Sequence, residues 1–428
     1  MASGVSLPQP EFSPAYTRYA LSLLLVVFVF NFLDRQVVAI LLQAIKKDLD
    51  LSDTQLGAFS GIAFAVLYST LGIPIARFAD RSVRRSIIAL ALFVWSGMTA
   101  LQGLASSFVW LLAARIGVGI GEAGCSPPAH SMIADLFPPR RRATALSIYA
   151  LGIPIGGAIG LAGGGWLRET FDWRTALVIV GLPGILLALL VRFTLREPTR
   201  GWWEGGRPAA TPPSLGEVVR VLRARRSFVH MAMAGALHAL YGYGAAAWNP
   251  AFFERVHRLG PLEIGYWLGA IAATTGVLGT FLGGWLGDRM SGRDPRWYAW
   301  LPGAGTLAAV PLVFPVYLWP DARGALAIAA VPAVLSGLYL GPTFAITQAL
   351  VPPQMRAQAA AVLLLILNLI GLGLGPQLVG VLSDLLAPRF AEGSIRYALL
   401  GTIVVGALWS TVHYAAAART LREDLRAI

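Results

Sequence analysis

Apolar runs of about 20 residues recur along nearly the whole of this 428-residue chain, and no other feature restricts its fold as severely. A run of that length, wound as a helix at about 1.5 Å per residue, matches the roughly 30 Å hydrocarbon core of a bilayer. Inside that core each backbone N–H and C=O must be satisfied within its own segment, so the runs are read as helices. Hydrophobic residues make up 56% of the chain and charged residues 13%, against about 45–50% and 25% in soluble domains, which makes this a lipid-dissolved chain. The alternation of apolar runs with polar breaks predicts helices over about 19–44, 54–78, 86–106, 108–136, 143–165, 174–194, 227–254, 263–287, 298–318, 324–350, 357–385 and 395–418. Twelve spans with short loops use up the length, and no folded soluble domain fits beside them.

One long break, about Arg196 to Ser227, carries Pro, Gly and many arginines. The expected organisation is therefore an N-terminal six-helix half over 1–195, a linker over 196–226 and a C-terminal six-helix half over 227–428. Met1 to Arg18 is polar and the apolar run after it is too long for a removable signal peptide, so the first helix is expected to be a permanent span. A lone Cys125 excludes an internal disulfide and a cysteine-based metal site.

The 34 basic residues outnumber the 22 acidic ones, and their positions give the reason. With both termini cytoplasmic, about 23 of the 34 fall inside, about nine outside, and Arg35 and Arg115 lie within spans, as the positive-inside rule requires. The excess is a topology signal rather than a nucleic-acid footprint. Arginines of the linker are also placed to meet anionic lipid headgroups. Arginine greatly exceeds lysine, and Ala, Gly and Pro abound, which points to a GC-rich bacterial gene. The expected location is a bacterial inner membrane, with multiple passes and both termini cytoplasmic.

The chain repeats itself. Ala76, Asp80, Arg81, Arg84 and Arg85 follow the second predicted helix, and Gly284, Asp288, Arg289 and Arg293 follow the eighth, at the equivalent point of the other half. A duplicated six-helix unit is what a rocking, alternating-access machine requires. This acid-plus-arginine turn resembles the signature loop of the major facilitator superfamily, with Ala76 where a glycine is usual. Asp80, Arg81, Arg85, Asp288 and Arg289 are expected to act as a cytoplasmic gate, because acids at helix ends can be held by arginines and by a neighbouring helix N-terminus. Solvated loops selected for topology are the alternative. Glycines 152, 156, 157 and 160 beside Pro154, and glycines 371, 373, 375 and 380 beside Pro376, let helices approach closely and bend.

Within the superfamily, four strings resemble the Spinster family: Asn31 to Arg35, Leu51 to Gly57, Arg115 to Gly124 with Glu122, and Asp135 to Arg142. The match is dense over roughly the first 180 residues. It implies a twelve-helix fold of two pseudo-symmetric halves and proton-linked transport, animal members of the family moving lysophospholipids or sphingoid phosphates.

Ionisable groups inside spans are costly and are functional candidates by default. Asp34 lies roughly 22 Å up the first helix and Arg115 roughly 10 Å below the outer edge, which hints that they pair. Glu122 is two turns from Arg115 on the same helical face, roughly 10 Å deeper. Arg35 faces about 100° away from Asp34, towards another partner or an anionic substrate. Burial opposes a carboxylate's charge and a nearby arginine supports it, so Asp34 and Glu122 are expected to couple protons when an arginine moves or binds substrate. A static ion-pair cluster that orders the bundle is the competing reading. Tyr241 and Asn249, with Arg35 and Arg115, are the candidate substrate or ion-pair residues. His130 and His238 are titratable candidates of lesser weight, and no acid occupies the middle of a C-terminal-half helix.

A cavity charged on one side and apolar or aromatic on the other suits an amphipathic molecule. The expected function is proton-coupled transport of a lipid-like anion by a monomer, without enzyme activity, cofactor, metal or nucleic acid. A polyspecific drug/proton antiporter, an organic-anion symporter and a non-transporting receptor or scaffold are the alternatives. Gly117 to Glu122 superficially matches a nucleotide loop, but it lies in an apolar helix without the strand that motif needs.

Overall fold

The computed structural model describes residues 10–79, 81–204 and 213–427. Ten stretches of these residues are long and apolar enough to cross a membrane. One of them, Pro353–Arg426, folds back as two helices, and Arg226–His257, which carries more polar groups, brings the number of crossings to twelve. In chain order they are α1 (Pro14–Leu49), α2 (Asp53–Ala79), α3 (Arg84–Gln102), α4 (Phe108–Leu136), α5 (Pro139–Thr170), α6 (Trp173–Thr194), α7 (Arg226–His257), α8 (Pro261–Ser291), α9 (Trp297–Leu318), α10 (Ala322–Ala349), α11 (356–390) and α12 (Ser394–Arg426). Several outrun their predicted spans, most clearly α1 and α12. Hydropathy reads only the segment in hydrocarbon, whereas the helix continues through polar turns outside it.

Local chemistry sets the helix ends. Ser13 caps α1 with Pro14 in its first turn, and Ser52 and Gln55 form a reciprocal capping box on α2. Ser107 and Asp172 cap α4 and α6 by accepting from the backbone N–H groups of Trp110 and Thr175. Two helices are irregular inside. α2 breaks at Gly61, whose backbone leaves the helical region, and α11 runs as a π-helix over Leu367–Leu374. These irregularities face each other, since a Cβ on Gly61 would meet the Gly373 carbonyl oxygen at 2.5 Å. Only glycine allows that approach.

Side chains such as Leu90, Val109, Phe193 and Leu385 are largely exposed around the bundle, the belt a lipid-facing surface needs. Inside, the core divides unevenly. At the end bearing the termini each half has a core of its own, one running from Ala20 to Leu195 and reached across by Leu372 and Tyr243, the other from Val218 to Leu421. At the opposite end a single core takes Val37, Phe59 and Leu167 from the first half with Trp248, Val316 and Ile403 from the second. The two halves are thus joined at one end and separate towards the other.

Candidate functional site

The predicted buried charges come together in the N-terminal half. Asp34, Arg115 and Glu122 are 3%, 2% and 1% exposed. The one-residue step from Asp34 to Arg35 turns their side chains to different helices. Asp34 Oδ2 accepts from Thr99 Oγ1 of α3 at 2.5 Å, while Arg35 Nε donates to Glu122 Oε2 of α4 at 2.7 Å. The expected pairing of Asp34 with Arg115 is not formed. Equal depth brought the two within electrostatic reach, but the Asp34 carboxylate is turned to Thr99, and its Oδ1 has no hydrogen-bond partner. Arg115 keeps Nε and Nη1 buried and unpartnered. Its guanidinium lies 4.8 Å from the centre of the Phe64 ring, which Arg35 approaches at 4.7 Å. Tyr68 and Phe32 complete the aromatic surround of Arg35 at 4.5 and 5.0 Å. Aromatic faces offer a guanidinium attraction without neutralising it, so Arg115 keeps its charge without an acid bonded to Nε or Nη1.

Two adjoining cavities lead from this cluster. The smaller, about 60 Å³, is lined by Arg35, Arg115, Ser60 and Phe64 from one half and by Tyr243 and Pro376 from the other. The larger, about 460 Å³, lies almost wholly in the C-terminal half against aliphatic residues of α8 to α10, with Tyr241, Asn249, Thr306 and Ser336 among its few polar walls. Gln36 and Ala246 line both. Asn249 Oδ1 accepts from Tyr317 at 2.7 Å, and Tyr241 bonds to His238, so both predicted residues sit in the wall of the large cavity, away from the arginines. His130 is exposed and packs edge-on to Tyr149. Asp34, Asp53 and Glu122 are the buried acids among the described residues, all in the N-terminal half.

Opposite the termini, ionic contacts seal the two halves. Asp53 receives Arg255 through two hydrogen bonds of 2.6 Å and also takes Lys46 and Ser383. Arg168 grips Glu254 with two bonds of 2.6 and 2.7 Å. Asp384 accepts from the backbone N–H groups of Asp53 and Thr54 at the start of α2. Close helix packing supports this seal, a Cβ on Gly57 meeting the Pro376 carbonyl oxygen at 2.8 Å.

The residues predicted as a gate lie at the terminus-bearing end, and Asp80 lies outside the described residues. Arg81 is exposed, Arg85 bonds to the Leu195 carbonyl, Asp288 accepts from Tyr298, and Arg289 stacks on Trp285. Arg85, Asp288 and Arg289 therefore take their partners within their own half, or at its edge. The ordered ionic centre there is Arg84, fully buried and bound by Asp135 and Glu197, with Ser131 at 2.8 Å. Sequence reading passed over Glu197 and the sealing pairs because they stand at span ends, where a charge costs little and draws no notice. The signal was there in the acids themselves, since Asp53 opens α2 and Glu254 stands near the end of α7 in a chain with only 22 acids.

The major facilitator superfamily profile matches residues 24–376. An "MFS-type efflux pump" of Mycolicibacterium smegmatis is 34% identical over 408 residues, covering 95% of this chain and 94% of that protein. A crystal structure of a bacterial homolog to the human lysosomal transporter Spinster, inward-facing and unoccupied, superposes with a TM-score of 0.87 at 34% identity, covering 96% of this chain and 99% of the other. This chain belongs to the major facilitator superfamily. It is a transporter of the spinster type, and zebrafish spinster homolog 3 is also similar, 28% identical over 91% of this chain and 82% of that protein. The inward-facing, occupied form of the bacterial spinster homolog matches with a TM-score of 0.84. The superfamily explains the pairing of the halves, and Asp34, Arg35, Arg115 and Glu122 form a concentration of charge inside the spans of the N-terminal half.

Proposed function

We propose that the protein moves an amphipathic, lipid-like anion across a bacterial inner membrane by alternating access, coupled to protons. The observation that carries this reading is Arg115, a buried cation with two unpartnered nitrogens at the mouth of an apolar cavity. A phosphate or carboxylate would satisfy that guanidinium through charge-assisted hydrogen bonds. The chain of the same molecule would fill the aliphatic space beyond Gln36. Most hydroxyls of a sugar or nucleoside would find no hydrogen-bond partner against those aliphatic walls.

The distribution of arginines supports cytoplasmic termini, and on that reading the sealed end faces outwards and the conformation is open inwards. Proton coupling is assigned to Asp34 and Glu122. An anion on Arg115 changes the charge that both carboxylates experience, and a proton taken up by either one offsets it. Unlocking the pairs of Asp53 and Glu254 lets the halves rock, and Asp80, Arg81, Arg85, Asp288 and Arg289 close the other end. A second reading, proton-driven export of varied apolar drugs, draws support from the likeness to the mycobacterial efflux pump and from the few polar groups in the large cavity.

Flux into proteoliposomes under an imposed pH gradient tests the proposal. Gradient-dependent movement of single-chain lipid anions is the expected result. Flux of drugs alone favours the second reading. The absence of gradient-driven flux for every lysolipid, drug and organic acid tried overturns both.

A further inference from the structure

The large cavity holds a polar patch that the proposed proton and anion site does not use. His238, in the middle of α7 and 2% exposed, is bonded on both ring nitrogens. Its Nε2 lies 2.7 Å from Ser336 Oγ, and its Nδ1 lies 2.7 Å from the Tyr241 hydroxyl and 3.3 Å from Thr306 Oγ1. Tyr339 stacks on the ring with centroids 4.0 Å apart. Tyr241, Thr306, Ser336 and Tyr339 all line the cavity. These groups come from α7, α9 and α10, so the patch is assembled by tertiary packing.

A count of protons shows what the patch lacks. No carboxylate is bonded to His238, so the ring is taken as neutral, with one nitrogen donating and the other accepting. Whichever tautomer holds, the ring can absorb only one hydroxyl proton, and the others must go to the phenol oxygen of Tyr241 or to a guest. Three hydroxyls surround the ring. Thr275, Thr343 and Thr347 in the same half return their protons to carbonyls one turn back, whereas Thr306 and Ser336 turn to the imidazole and to the Tyr241 phenol instead. The hydroxyl protons are thus shared between one ring nitrogen and one phenol oxygen, on the wall of a cavity that is otherwise mostly aliphatic. Hydroxyl protons held in this way can rotate to an acceptor on the cargo, which no aliphatic wall can offer them.

We infer that His238, Tyr241, Thr306 and Ser336 form a second polar subsite, which takes an uncharged hydrogen-bond acceptor, an ester or amide carbonyl, in the body of the cargo. This rests on the reading of the large cavity as the cargo site, but it does not depend on the anion at Arg115. It makes the transporter select acyl over plain alkyl chains. His238 is a positioning residue, since it holds the hydroxyls and need not touch the cargo.

The test compares neutral probes, which bypass the arginines. Binding of a monoacylglycerol and of the monoalkylglycerol ether with the same chain length is measured by native mass spectrometry on the purified full-length protein. The acyl probe is expected to bind about fivefold more tightly, the yield of one net hydrogen bond of about 1 kcal/mol. Ser336→Ala combined with Thr306→Val is expected to erase the preference by weakening the acyl probe while leaving the ether unchanged, and His238→Phe is expected to reduce it. Equal binding of the two probes to the natural protein overturns the subsite, as does a preference that survives the double variant. Failure of both probes to bind overturns the subsite and the cavity assignment together. A lost response to lipid anions with the acyl preference intact overturns only the anion reading at Arg115.

Discussion

Arg35 and Glu122 hold each other across α1 and α4 with Nε and Nη2 of the guanidinium both 2.7 Å from Oε2, while Oε1 of the carboxylate has no hydrogen-bond partner. This pair splits the buried cluster into a closed half and an open half. Arg35 and Glu122 neutralise each other, whereas Asp34 and Arg115 are close enough to interact and yet unbonded. An arrangement kept only for packing would bond all four, because an unpaired charge within a span is costly. The open half is where a substrate and a proton can act.

Asp34→Asn and Glu122→Gln are each expected to reduce gradient-driven flux to the leak of empty liposomes while the folded yield stays at the natural level. The two substitutions nearly preserve shape and remove the titrating group. Flux measured across a range of external pH checks the assignment. If both variants keep the natural pH profile, the carboxylates are structural.

Arg115→Ala is expected to weaken binding of a single-chain lipid phosphate by roughly 10- to 100-fold, the equivalent of losing charge-assisted hydrogen bonds of about 1.5–3 kcal/mol. Arg115→Lys keeps the charge but not the two-pronged geometry, so it should recover only part of the affinity. Titration calorimetry with a phosphate-bearing and an uncharged lipid of equal chain length reads this directly. Equal losses for both lipids would make Arg115 a packing residue.

The helices and the buried charges were legible in the sequence because each leaves a mark along a single segment. A twenty-residue apolar run identifies itself, and so does an arginine set within one. Even the divergence of Asp34 and Arg35 follows from the helical angle between neighbours. What escaped was the choice of partner. Thr99 is an ordinary residue in α3, and nothing local says that it takes the carboxylate of Asp34 from Arg115. The patch around His238 is drawn from three helices, so no spacing along the chain reveals it. The interruption of α11 by a π-helix at Leu367–Leu374 was equally hidden, since its glycines are equally compatible with a regular helix that packs tightly.

Arg84→Met is expected to destabilise the N-terminal half by about 3–5 kcal/mol, because it strands two partly buried acids without their cation. Arg84 is fully buried, and it fastens Glu197, the first stretch of the linker, to Asp135 at the end of α4. Adding Glu197→Gln and Asp135→Asn should restore much of the loss by removing the stranded charges. Thermal unfolding in detergent, followed by intrinsic fluorescence, provides the comparison. A triple variant no more stable than Arg84→Met alone would show that the guanidinium acts through packing.

Asp53→Asn is expected to open the sealed end. Asp53 sits beneath Arg255, Lys46 and Ser383, and the pair with Arg255 joins α2 of one half to α7 of the other. Rocking apart must separate those helices, so the bond stabilises the observed state and not the alternative one. Breaking one partner of a buried pair costs about 3 kcal/mol or more, which shifts a two-state ratio on the order of 100-fold. Gln36→Cys in a Cys125→Ala background places a thiol in the wall shared by the two cavities. In whole cells, a membrane-impermeant maleimide should label that thiol slowly in the natural background and much faster when Asp53→Asn is added. Asp53→Glu, which keeps the charge, should label at a rate between the two. Unchanged labelling in Asp53→Asn would mean that glycine-mediated packing, such as that of Gly57 against Pro376, holds the end shut without the ions.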